Sequence, residues 1–167
     1  MKEKTDPNEV CPYCGFDPKE YHPAPAQLPP FSILYGKYLI GRVVGQGGFG
    51  IVYIAKDLVL DITVAIKELF PSNMVTRTIS NATNSTSVVC TDDPRNLSLV
   101  REKFVKEART IAHLQEQADA GGIVQVRDLF EENNTAYLVM EYLQGFDKII
   151  VENQMILLFR YDLFIGC

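Results

Sequence analysis

The stretch Val44-Gly45-Gln46-Gly47-Gly48-Phe49-Gly50-Ile51-Val52 decides how the rest of this sequence is read, together with Lys67 of Val64-Ala65-Ile66-Lys67, 17 residues past Gly50. Three phosphate-binding designs use glycine-rich loops, and the residues just after the loop separate them. A dinucleotide fold needs a helix directly after the glycines, but residues 51–55 are β-branched and aromatic, poor helix material. A Walker loop needs Lys-Ser or Lys-Thr after its last glycine, and Ile51-Val52 stand there. Strand, glycine turn, strand is the remaining pattern. It gives either a hairpin whose tip covers a triphosphate or a plain flexible hairpin.

Residues 62–69 read as a third strand. Side chains alternate along a strand, so Ala65 and Lys67 share one face, and Val64 and Ile66 the other. A small residue beside an ammonium suits a flat base and its phosphates. Residues 100–117 have helical period and propensity, and Gly121-Gly122 stop the helix. At 100° per residue, Val100, Ala108, Ile111, Leu114 and Ala118 form an apolar stripe with Phe104, and Glu107 falls inside it. A glutamate there calls for a cationic partner, and Lys67 is the natural candidate, through a charge-assisted hydrogen bond. Residues 123–130 and 135–142 read as two strands joined by Glu131-Glu132-Asn133-Asn134. The Ser-, Thr- and Asn-rich stretch 71–99 reads as an exposed insertion with a small hairpin around 81–84.

This ordered set resembles the small lobe of eukaryotic-type Ser/Thr protein kinases of bacteria. The resemblance rests on Gly45-x-Gly47-x-x-Gly50-x-Val52, Val64-Ala65-Ile66-Lys67, Glu107 and Leu138-Val139-Met140-Glu141-Tyr142-Leu143. It implies an α+β fold, a five-stranded antiparallel sheet with one main helix, over residues 31–145. It implies an ATP site: Gly45, Gly47, Gly48 and Gly50 over the phosphates, Lys67 on the α- and β-phosphates, Glu107 bracing Lys67. Val44, Val52 and Ala65 would roof the adenine. Met140 would be the gatekeeper, and Glu141 and Leu143 the hinge positions. The family also uses Mg²⁺, but the sequence has no Asp-Phe-Gly to hold it and no His-Arg-Asp to supply a catalytic base. A catalytically incomplete, ATP-binding lobe is therefore expected. A non-catalytic regulatory or interaction module is the alternative. A protein substrate or partner enters only if a large lobe is supplied.

The ends of the chain are read separately. Residues 1–30 hold seven of the nine prolines and Cys11-Pro12-Tyr13-Cys14-Gly15, a zinc-knuckle shape on a proline-rich linker. Cys11 and Cys14 would supply two of zinc's four ligands, with His22 and Cys90 as further candidates that spacing does not compel; a reduced, metal-free turn, or one completed by a partner chain, is the other reading. Residues 146–167 depart from the kinase pattern, as a frameshift or premature stop would produce, or as a short genuine tail. The 167 residues have room for one ordinary domain, and 47% apolar and 22% charged content is globular usage. A net charge of −5 does not favour nucleic acid as a partner. With neither a signal peptide nor an apolar run long enough to span a membrane, a cytoplasmic location is expected.

Overall fold

A computed structural model describes residues 17, 19–80, 85–117, 124–142, 150–152 and 155–157. Its centre is a six-stranded antiparallel sheet, ordered β1-β2-β3-β4-β8-β7. The strands are β1 (Ile33–Leu34), β2 (Tyr38–Gly47), β3 (Gly50–Asp57), β4 (Ile62–Leu69), β7 (Val126–Glu132) and β8 (Thr135–Glu141). Five of these are the strands read from sequence. The sixth, β1, corrects the count: two residues fold back on β2 and pair Ile33 with Leu39 and Leu34 with Tyr38. A strand this short carries no periodic signal.

The glycine stretch is a hairpin. Gly45 pairs with Val52 and Gly47 with Gly50, leaving Gly48-Phe49 as the tip. Glycine is needed here for closeness: a Cβ on Gly50 would lie 2.6 Å from the Glu68 carbonyl oxygen. Positive φ, which glycine would permit, is not used by these glycines; among the described residues Gly36 is the glycine that has one. At the β7–β8 turn Asn133 and Asn134 both take positive φ, 51° and 60°. That is the two-residue turn whose twist matches a hairpin, shorter than the four-residue connection expected.

One long helix, α1 (Pro94–Gln117), crosses one face of the sheet. It starts six residues before the expected position. Asp93 accepts from the Arg95 amide at 2.9 Å, and Pro94 occupies the first helical position, where its missing N–H is not needed. Among its described side chains Phe104 and Ala108 are the buried ones, whereas Leu114 is 47% exposed, so the apolar stripe is shorter than the pattern suggests.

The opposite face is covered by what the sequence presents as accessories. The insertion forms a hairpin, β5 (Val75–Ser80) with β6 (Ser85–Cys90), that sends Val75 and Val88 into the core. Leu28, from the proline-rich segment, is 1% exposed in the same cluster as Tyr38, Tyr53, Ile66 and Tyr137. Residues 21–28 thus pack on the sheet rather than standing off it as a tether. Farther on, β9 (Ile150–Glu152) and β10 (Met155–Leu157) pair antiparallel. Among the described residues, no helix is long and apolar enough to cross a membrane.

Candidate functional site

The site is built on the α1 face of the sheet. Alternation places Lys67 beside Val52 on β3 and Leu138 on β8, and Ala65 beside Met140. Val52, Ala65, Leu138 and Met140 are buried together with Phe104 and Ala108, and Val44 is partly buried against them. The residues expected to roof a base therefore share one apolar surface. Glu141 ends β8 opposite Val64, and its carboxylate accepts from the Gln125 amide at 2.9 Å. Leu143 lies outside the described residues.

Lys67 is 2% exposed. Its Nζ lies 4.0 Å from Glu107 Oε1 and 5.5 Å from the centre of the Phe104 ring. At that distance the pair is an ion pair but too long for the charge-assisted hydrogen bond expected. Burial pulls the Lys67 ammonium below the ordinary lysine range, and the Glu107 charge opposes that shift. A desolvated cation with one carboxylate for company has strong residual potential for an anion. Phe49 at the hairpin tip, Lys67, Leu69, Val100, Lys103, Phe104 and Glu107 line a cavity of about 20 Å³. That is room for one water.

The flap over this cavity is pinned. The Phe70 amide donates to the Phe49 carbonyl and the Ser72 amide to the Gly48 carbonyl, both at 3.1 Å. Space around Gly48 is open, with nothing within 4 Å of where a Cβ would stand. The tip is therefore held at its base and free above.

Sequence reading missed the residue next door. Glu68 points to the other face and is fully buried. Its Oε2 takes Arg77 Nη2 at 2.5 Å and the Tyr53 hydroxyl at 2.9 Å, and its Oε1 takes the Tyr137 hydroxyl at 3.0 Å. Burial and the Glu68 charge push both tyrosines well above the usual phenol range. The signal was present: Val64, Ile66 and Glu68 share a face, and a carboxylate ending an apolar face needs a buried partner. Nothing in the spacing named Arg77, because the insertion hairpin brings it there.

Cys11 and Cys14 lie outside the described residues. Among the described residues no group of three or more His, Cys, Asp or Glu could hold a metal ion, so neither zinc nor magnesium is assigned donors there. Of the two further candidates, His22 is exposed, and the Cys90 thiol donates to the Asp92 carbonyl at 3.2 Å.

No protein-family model matches the chain. Its homologues are bacterial Ser/Thr protein kinases. Serine/threonine-protein kinase PrkC of Bacillus subtilis is 34% identical over 110 residues, covering 66% of this chain and 13% of the kinase. Serine/threonine-protein kinase D of Synechocystis is 32% identical over 111 residues, covering 65% and 18%. Serine/threonine-protein kinase PknE of Mycobacterium tuberculosis is 31% identical over 113 residues, covering 68% and 16%. Among solved structures, the PpkA-294 apo form superposes with a TM-score of 0.60 at 30% identity, covering 70% of this chain and 39% of that one. About two thirds of the chain is thus a kinase-like segment, and the chain spans under a fifth of the curated relatives it matches here.

Proposed function

We propose that residues 31–145 are the ATP-binding small lobe of a Ser/Thr protein kinase, with residues 1–30 and 146–167 as attachments to it. The observation that carries this reading is the buried Lys67 with half-buried Glu107 4.0 Å away, beneath the tip of a glycine hairpin. The residues fit the nucleotide. Val44, Val52, Ala65 and Met140 offer an apolar surface for the base, and the backbone at the end of β8 would hydrogen-bond its edge. Lys67 supplies the charge that the α- and β-phosphates need, and Glu107 keeps the ammonium from folding back toward the strand. Entry of the phosphates would require Phe49, which lines the cavity, to give way. The open space around Gly48 leaves room for a phosphate to approach the backbone amides of the tip.

Phosphoryl transfer needs more than this site. A base must take the proton of the acceptor hydroxyl, and carboxylates must hold the metal ions. The 167 residues contain neither His-Arg-Asp nor Asp-Phe-Gly. The chain by itself is therefore expected to bind nucleotide without transferring phosphate.

The test is thermal stability with and without a non-hydrolysable ATP analogue. A ligand that binds only the native state raises the melting temperature by mass action, equivalent to about 2.7 kcal/mol at a hundredfold excess over Kd. The wild-type chain should show the rise and Lys67→Met should lose it. A rise that persists in Lys67→Met contradicts the assignment of Lys67.

A further inference from the structure

We infer that residues 21–28 are a positioning strap for the glycine hairpin, so that the segment leading in from the cysteine head sets how tightly the flap closes on nucleotide. The inference takes the nucleotide itself from the function proposed above, but the strap rests on separate contacts. Four hydrogen bonds hold the segment, three to strands β2 and β3 that carry the site and one to Arg77 of the insertion hairpin. Tyr21 Oη accepts from the Val43 amide at 3.0 Å. Gln27 Nε2 donates to Gln46 Oε1 at 2.7 Å, and Gln46 stands between the first two glycines of the motif. The Leu28 amide donates to Tyr53 Oη at 3.0 Å, and the Ala26 carbonyl accepts from Arg77 Nε at 2.7 Å.

The placement of these bonds is what points to function. The β2–β3 register shifts between Ile40 and Val43 and again between Val43 and Gly45. Such an irregularity takes backbone groups out of the ladder in the approach to the glycine motif. The Val43 amide, at that point, is met by the strap. Gln27 is held for its task as well, since its Oε1 accepts from the Ala24 amide at 3.0 Å and from the Tyr21 hydroxyl at 3.4 Å. The remaining contacts run to Tyr53 and Arg77, the two groups that share Glu68 Oε2. Glu68 is the neighbour of Lys67 on β4. The strap thus bonds β2 on the approach to the tip, and reaches the lysine strand at one remove, through Tyr53 and Arg77 on Glu68.

The experiment is hydrogen exchange on the full chain, read amide by amide without nucleotide, and then a nucleotide titration. Gln27→Ala should speed exchange of the Gly45–Gly50 amides about fivefold, the loss of one neutral hydrogen bond, with Val64–Ile66 unchanged. Tyr21→Phe should do the same at Val43. Gln27→Glu should restore the protection, because its carboxylate still accepts from Tyr21 and Ala24 and can accept from a turned Gln46 amide. Analogue affinity should fall in Gln27→Ala by a similar factor and recover in Gln27→Glu. Flap protection unchanged in both Gln27→Ala and Tyr21→Phe overturns the strap. Uniform loosening of flap and core together also overturns it, since that is what a merely structural role produces. Faster flap exchange with unaltered affinity overturns the link to nucleotide. If wild type binds no analogue, the function proposed above fails, and the exchange data still decide the strap.

Discussion

Two neighbouring residues, Lys67 and Glu68, show how one strand serves two purposes. Both are charged, both are buried, and they face opposite sides of the sheet. Glu68 is satisfied by three donors, while Lys67 has one carboxylate at 4.0 Å. The well-satisfied carboxylate anchors structure, and the under-satisfied cation is the one free to take an anion. Burial lowers the Lys67 pKa from its ordinary 10.5. In the window from that lowered value up to 10.5, the unfolded chain holds more of the proton than the native one. Unfolding free energy therefore gains a positive contribution as pH rises through that window. Urea unfolding across it should show this contribution in wild type and lose it in Lys67→Met. Nucleotide affinity should move the opposite way, weakening as Lys67 becomes neutral.

The elements were legible in the sequence to the extent that their signals were local. The strand at residues 62–69 appears as read, because alternation and β-branching extend along its whole length. The glycine turn was legible as a hairpin because β-formers flank it on both sides. The start of α1 was misplaced because the apolar period begins late, although Asp93-Pro94 marks the true N-terminus. The Asn133-Asn134 turn is a local device with a measurable contribution. Both residues adopt positive φ, which asparagine tolerates and alanine resists. Asn134 also donates through Nδ2 to the Val88 carbonyl at 2.8 Å, tying the turn to the insertion. Asn134→Ala should destabilise the chain by about 1–2 kcal/mol in denaturant unfolding. Asn134→Gly should recover the part due to φ and leave the part due to the lost bond.

On the scale of the whole molecule, the two faces of the sheet divide the work. Helix α1 and the apolar roof occupy one face; the insertion hairpin and residues 21–28 occupy the other. This second layer was not legible, because composition marks it as loop and linker and its anchors are single residues distant in sequence. Leu28, Val75, Arg77 and Val88 carry no period, and only folding brings them against Tyr53, Glu68 and Tyr137. Arg77→Met should therefore behave as a core substitution, although it falls in a polar insertion. It leaves Glu68 buried without its counter-charge and should cost about 3–5 kcal/mol. Removing both charges in Glu68→Gln/Arg77→Met should recover a large part of that loss, because no uncompensated charge remains. Additive losses in the double variant would mean that the pair does not act as a unit.

The lysine at the centre of the site can be interrogated chemically. An acyl-phosphate derivative of ATP transfers its acyl group to the amine nearest the bound phosphates, and mass spectrometry then identifies the modified lysine. Acylation should fall on Lys67, and excess ATP should suppress it. Acylation only at other lysines, or labelling of Lys67 that ATP leaves unchanged, would contradict a nucleotide site beneath the glycine hairpin.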